Sequence, residues 1–254
     1  MYEIISTVKR DYITDLVRQG KRVDGRALDQ FRDVILEVGE IKTANGSAKV
    51  KVGKTQVLVG VKLEHAEPFP DTPDSGVLMV NAELLPQASP TFEPGPPRVE
   101  AIELARVVDR GIRESEMIDL DKLGIKSGED VWAVFVDIDV LDHDGGLIDV
   151  SALAALAALL NVKPPQDEDW KLPEFPIMKR PISVTVAKIN DKLIVDPCLD
   201  EERVMDARLT MATDEDGNIR AMQKGGSGQF TREDLEQVYD LAIAKGNELR
   251  AKLG

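Results

Sequence analysis

The chain has 254 residues, 43% of them hydrophobic, with 46 acidic against 32 basic side chains and a formal charge of −14. That length holds one large domain or two modest ones, since a domain commonly takes ~100 to 200 residues, and the charge excludes a free-standing nucleic-acid binder, whose own field would be basic. No charge-free apolar run reaches the ~18 residues of a membrane span, Met1-Tyr2-Glu3 and the mixed charges after it do not read as a signal peptide, and the single cysteine, Cys198, excludes an internal disulfide framework. The expected setting is a reducing cytoplasm with no membrane partner. Few aromatics beside abundant Val, Leu, Ile and Ala point to an aliphatic interior. Any nucleic-acid role must rest on a local basic stripe or on a more basic partner; otherwise the acidity serves solubility.

In chain order, Ile4, Ile5, Val8, Tyr12, Ile13, Leu16 and Val17 recur at helical spacing, so a helix over 2–19 ends near Gly20. Lys21-Arg22-Val23-Asp24-Gly25-Arg26 is a basic turn, and Phe31 to Ile41 reads as a strand. Residues 48–52 and 55–63 form a hairpin around Gly53-Lys54, followed by a proline-bearing loop and a strand from Val77 to Leu85. The five prolines between Pro86 and Pro97 break regular structure, and a helix then runs from Arg98 to Met117 with Val99, Ile102, Ala105, Val108 and Ile112 as its apolar side. A buried-type strand, Val131 to Leu141, feeds Asp142-His143-Asp144-Gly145-Gly146, which opens a helix of alanine and leucine with no wet face. A helix apolar all round belongs in a core or between layers.

Asn161 to Pro181 carries five more prolines and reads as a linker. The organisation expected is an N-terminal helix (1–20), a first half (21–163), a proline-rich connection (164–181) and a second half (182–254). The second half shows strands at 182–189 and 192–195, a pair at 204–212 and 218–223, then Gly225-Gly226-Ser227-Gly228 and a helix from Thr231 to Leu253 with Thr231 and Asp234 as a capping box. Strands, a glycine turn and a helix occur in both halves, which points to an α+β architecture of two related halves.

Asp142, His143, Asp144 and Asp149 cluster around the first glycine turn and offer acid–base or metal chemistry. Yet Asp and Gly are ordinary turn residues, and His65 and His143 belong to no spaced ligand set; neither a metal nor any other cofactor is expected. A phosphate cradle here would be helped by a hydroxyl or an arginine after the glycines, where the chain has Leu147 and Ile148. The series Asp196, Asp200, Glu201, Glu202 and Asp206 could hold Mg²⁺ but reads better as an exposed acidic turn, and the second glycine cluster as a chain reversal. Cys198 has no identifiable base, so no nucleophilic constellation emerges. Arg106, Arg110 and Arg113 stand at i, i+4 and i+7 on one helix face. Guanidinium forks suit phosphate oxygens; the alternative is intrahelical pairing of Asp109 with Arg113 and of Arg110 with Glu114, worth only ~0.3 to 0.5 kcal/mol a pair when exposed.

Four motifs taken together carry a resemblance: Lys21 to Arg26 after a helix; Glu103-Leu104-Ala105-Arg106-Val107-Val108-Asp109-Arg110-Gly111-Ile112-Arg113-Glu114-Ser115; Asp139 to Gly146 running into the alanine helix; and Gly225 to Gly228. In this order they resemble the RNase PH-like family over nearly the full length, most closely the non-catalytic ring subunits of the archaeal exosome. The resemblance implies a ribosomal-protein-S5-domain-2-like β-α-β fold in two related halves. It also implies a heterohexameric ring of three heterodimers with a catalytic RNase PH-like paralogue, topped by RNA-binding cap subunits, that degrades single-stranded RNA from its 3′ end by phosphorolysis. Active members follow the turn glycines with a hydroxyl residue and an arginine that hold phosphate. Leu147 and Ile148 stand there, and Glu202 stands where an aspartate is expected, so the resemblance assigns no catalytic residue to this chain. It assigns RNA-backbone binding to Arg106, Arg110 and Arg113. Two other roles remain open, an autonomous phosphate-dependent exoribonuclease and a purely architectural subunit without RNA contact.

Overall fold

The computed structural model describes residues 2–253. It contains two antiparallel-rich sheets with one apolar helix between them, the α+β arrangement expected. The first sheet is built from β1 (Val34–Val38), β2 (Gly46–Val52), β3 (Thr55–Ala66), β4 (Val77–Leu84), β5 (Gly124–Lys126) and β6 (Asp130–Asp142), in the order β1-β2-β3-β6-β4 with β5 beside β6. β3 and β6 pair antiparallel from Val57↔Val140 to Ala66↔Val131. β4 runs parallel to β6, which requires a crossover, and α2 (Val99–Glu114) makes it. The second sheet has the order β10-β9-β7-β8, from β7 (Ile182–Ile189), β8 (Lys192–Val195), β9 (Ala207–Thr213) and β10 (Ile219–Gly225).

α3 (Leu147–Leu160) is the helix without a wet face, and its place explains its composition. It lies against β2 and β3 on one side and against β7 and α2 on the other. Eleven of its residues are buried, including the alanines that let both sheets approach. β2 and β3 present Val50, Val52, Val57, Val59 and Val61 to it, all at most 2% exposed, on the alternating inward positions that strand period 2 dictates. One continuous apolar core joins residues of both sheets through α3. α5 (Arg232–Arg250), opened by the Thr231–Asp234 capping box, covers the second sheet with Val238, Ala242, Gly246 and Leu249.

α1 (Tyr2–Arg18) docks on the far half of the molecule. Ile13 and Val17 pack with Ala187, Ile189, Ile194 and Val204, and Lys9 and Arg10 pair with Asp200 and Asp206 at 2.7 and 3.3 Å. The side chains of Ile4, Ile5 and Val8 lie outside the described residues.

Several expected boundaries and faces shift. β1 is shorter than 31–41 because its partner β2 ends at Val52 and the chain turns at Gly39, whose φ is +76°. Residues 204–206 belong to the turn after a short helix, α4 (Leu199–Glu202), so β9 starts at Ala207. α2 buries Ala101, Leu104, Val107, Val108, Gly111 and Ile112, whereas Val99 and Ile102 are exposed. The helix is gripped by β4, β10 and α3 together, so its buried arc is wider and rotated from the single stripe expected. Residues 161–181 have little regular structure but are tied down: Asp119 N–H donates to the Pro176 carbonyl, Met178 N–H to the Met117 carbonyl, and Phe175 is buried.

Candidate functional site: a glycine turn and an arginine helix

The turn between β6 and α3 has the outline of an anion cradle. Gly145 and Gly146 take φ of +83° and +70°, the left-handed region where glycine is favoured. A Cβ at Gly145 would lie 2.5 Å from the Leu199 nitrogen, and one at Gly146 would lie 2.7 Å from Arg32 Nη2. Close approach to α4 and to Arg32 therefore demands both glycines.

Three N–H groups of the turn are already engaged. Asp144 N–H donates to Thr55 Oγ1 at 3.0 Å, Gly145 N–H to His143 Nδ1 at 3.3 Å, and Gly146 N–H to Glu202 Oε1 at 2.8 Å. The carbonyls are engaged too, that of Asp144 by Arg32 at 2.6 Å and that of Gly145 by Thr55 at 2.7 Å. A carboxylate of the chain itself thus sits where an anionic ligand would, and Leu147 and Ile148 add neither a hydroxyl nor a cation. Burial raises the Glu202 carboxyl above the usual range, against the Gly146 N–H, Arg208 and Arg32, which favour its ionised form.

Asp149 does not join this cluster, contrary to expectation. One turn into α3, it faces β7, where its two oxygens accept from Thr185 N–H at 2.7 Å and from Thr185 Oγ1 at 2.6 Å. Burial, with Asp196 and Glu202 adding to it, pushes this carboxyl up to about 7 despite the two donors. The folded state then keeps a proton that the unfolded chain, with Asp near ~3.9, has lost, so this group's contribution to stability falls as pH rises through that interval. The Asp149→Asn variant carries no charge to bury. Its stability relative to the wild type should rise between about pH 5 and pH 8, read by urea unfolding at both values; a difference independent of pH would contradict the buried-acid account.

The acidic series is likewise not an exposed turn. Asp196 and Glu201 are fully buried. Glu201 pairs with Arg22 at 2.6 Å, and Asp196 holds Arg26 at 2.9 Å and Arg32 at 2.6 Å. The basic turn 21–26 and Arg32 supply the countercharges, which spacing along the chain does not reveal because the partners lie more than 160 residues apart. Gly226 and Gly228 pack on the Asp206 backbone, where a Cβ would come to 2.8 Å, so that cluster is a packed reversal. His65 has a partner set that sequence spacing hides: Asp130 on Nδ1 at 2.8 Å and Asp167 on Nε2 at 3.5 Å, with Asp169 beside them.

The arginines on α2 are three different groups. Arg106 is exposed and has no hydrogen-bond or ion-pair partner among the described residues. Arg110 donates through Nη1 to Gln223 Oε1 on β10 at 3.1 Å. Arg113 is forked onto Asp109 at 2.7 and 3.1 Å and also reaches the Leu78 carbonyl at 3.1 Å, so the intrahelical pairing weighed above holds for it. All three line one surface cleft of about 240 Å³ with Val80, Asp109 and Glu114. Gln223, which steers Arg110, sits on a strand more than 100 residues away and has no sequence signal. Arg208 is a fourth cation nearby, spent on Glu103 at 2.9 Å.

With this geometry in view, comparison with known proteins is direct. Residues 30–165 match domain 1 of the 3′ exoribonuclease family, RNase PH, and residues 179–245 match its domain 2. The chain belongs to that family and has its two-domain fold. Over 99% of its length it is 52% identical to the exosome complex component Rrp42 of Thermococcus kodakarensis, 96% of which is covered, and 53% identical to Rrp42 of Methanocella arvoryzae, 97% covered. Among solved structures, a chain of the Archaeoglobus fulgidus exosome with RNA bound to the active site superposes with a TM-score of 0.94 at 52% identity, covering 99% of this chain and all of that one. A structure of rice Rrp46, at a TM-score of 0.74 and 17% identity, shares the fold.

Proposed function

We propose that this chain is a non-catalytic, RNA-binding subunit of an exosome ring in the cytoplasm. It completes the active site of a catalytic RNase PH-like paralogue within a heterohexamer of three heterodimers and guides single-stranded RNA to that site beneath RNA-binding caps. The observation that carries the non-catalytic part is the Glu202 carboxylate on Gly146 N–H at 2.8 Å. Phosphorolysis needs inorganic phosphate beside the scissile bond, held by preorganised donors. Here the donors of the turn are spent on the chain's own side chains, and an anion brought to them would meet a carboxylate. The similarity to exosome components and to an RNA-bound exosome structure supports membership of such a ring.

The purified chain should release no nucleoside diphosphate from RNA in phosphate buffer, and phosphate-dependent decay should appear when the catalytic paralogue is added, with the mass of the assembly rising in step. Nucleoside diphosphate released by the chain alone, from a preparation shown to be free of the paralogue, would defeat this reading and favour an autonomous exoribonuclease.

A further inference from the structure

A second constellation lies away from the glycine turn and the arginine helix, and the ring role proposed above does not use it. His65, near the end of β3, stands between carboxylates on both sides of its ring. Asp130, the first residue of β6, is 2.8 Å from its Nδ1. On the other side Asp167 Oδ2 is 3.5 Å from Nε2, and ligand atoms of His65, Asp167 and Asp169 all lie within 4.8 Å of one another. Sequence spacing hides the set, because its members come from the end of one strand, the start of another and the proline-rich connection.

The two sides of the ring are set up differently. A carboxylate only accepts, so the Asp130 contact holds a proton on Nδ1 and, in the neutral ring, leaves the Nε2 lone pair facing Asp167 and Asp169. This is the carboxylate–histidine arrangement that orients a metal-binding imidazole and raises its basicity. Trp132 packs beside the ring, with centroids 4.4 Å apart and planes tilted by 57°. Asp167 is divided in the same way: its Oδ1 accepts from Asp169 N–H at 2.9 Å, and its Oδ2 is turned to the imidazole. The 3.5 Å between Nε2 and Oδ2 exceeds the ~2.7 to 3.2 Å of an N–H···O bond, which tells against a protonated ring bonded to both acids. It matches the ~3.4 Å that separates two ligands each ~2.1 Å from a tetrahedral ion.

We propose that His65, Asp167 and Asp169 bind one Zn²⁺, His65 through Nε2 and each aspartate through a carboxylate oxygen, with Asp130 orienting the imidazole. The donor set selects the ion, since imidazole suits Zn²⁺ whereas Mg²⁺ prefers oxygen alone. Three protein ligands leave the fourth tetrahedral position to water. Asp167 and Asp169 belong to the connection between the halves and His65 to the first sheet, so the ion pins one to the other. The inference is independent of the ring role and is read by metal binding, so it fails or stands separately from any phosphorolysis result.

Both tryptophans of the chain lie here, Trp132 against His65 and Trp170 next to Asp169, with the two indoles 5.5 Å apart. Tryptophan emission therefore reports on this region alone. The test titrates the full chain, stripped of metal by chelator, with zinc chloride at neutral pH, read by emission and calorimetry. Emission should change and saturate at one equivalent, and a large excess of Mg²⁺ should neither cause the change nor compete. His65→Gln and Asp167→Asn should each weaken Zn²⁺ binding by roughly tenfold or more, and Asp130→Ala, which removes no ligand, by about 10- to 100-fold. Asp167→Asn keeps the oxygen that accepts from Asp169 N–H, so the test stays decisive if His65→Gln fails to fold. Absence of the emission change, Zn²⁺ binding that survives His65→Gln or Asp167→Asn, or competition by Mg²⁺ at equal concentration would overturn the proposal.

Discussion

Asp196→Ala is expected to lower the melting temperature by roughly 6 to 20 °C, from ~3 to 5 kcal/mol for breaking a buried ion pair and ~2 to 4 °C per kcal/mol at this chain length. The side chain is fully buried, and its two oxygens accept from Arg32 N–H at 2.9 Å, Arg32 Nε at 2.9 Å, Arg32 Nη2 at 2.6 Å and Arg26 Nη1 at 2.9 Å. Arg32 in turn holds the carbonyls of Asp144 and Gly145. One carboxylate therefore ties the segment before β1, the glycine turn and the second sheet into a single unit. Removing it leaves the nearly buried Arg32 guanidinium without its countercharge and Arg26 with Asp24 alone. The cost lies in that orphaned charge more than in the lost attraction, so Arg32→Met combined with Asp196→Leu should recover part of the loss. Thermal unfolding of the two variants checks both statements. A melting point within about 2 °C of the wild type for Asp196→Ala would show that the network is not what joins the halves.

This network also marks where the amino-acid sequence stops being informative. α3 was legible because an unbroken run of alanine and leucine leaves only one physical option, a position with protein on every side. The β2–β3 hairpin was legible because apolar residues alternate along its strands. Arg22, Arg26 and Arg32 against Glu201 and Asp196 were not, since charge pairing across more than 160 residues depends on how two sheets are placed, which periodicity does not encode. For the same reason Asp196 and Glu201, in a row of acids that looks solvated, are fully buried, and Asp149, beside the turn in sequence, faces the opposite sheet. The missing groups at Leu147 and Ile148 could be read directly, but the Glu202 carboxylate on Gly146 N–H could not. On α2 the spacing fixed which arginines share a face and left open which are already spent. Gln223 and Asp109 decide that, and only Asp109 is a near neighbour in the chain.

That difference among the arginines sets the second expectation. In the assembled ring, Arg106→Glu with Arg110→Glu should reduce RNA affinity by at least roughly 100-fold, since a hydrogen bond to a charged group is worth ~1.5 to 3 kcal/mol and each reversal also adds repulsion. The slope of log affinity against log salt should become shallower by ~1.4, two lost single-strand phosphate contacts at ~0.7 each. The chain should still fold, because Arg106 has no partner among the described residues and Arg110 has Gln223 alone. Arg113→Gln should cost less affinity, because that guanidinium is already committed to Asp109 and to the Leu78 carbonyl. An ordering of Arg106, then Arg110, then Arg113 would follow how free each side chain is before RNA arrives. RNA affinity and salt slope that survive the double reversal in a ring of normal mass would make the subunit architectural, with the arginine face serving protein contacts instead of RNA. The salt slope separates these cases more sharply than the loss of affinity, because contact with a protein acid would also be lost on charge reversal, whereas the slope counts only the phosphates that the RNA brings.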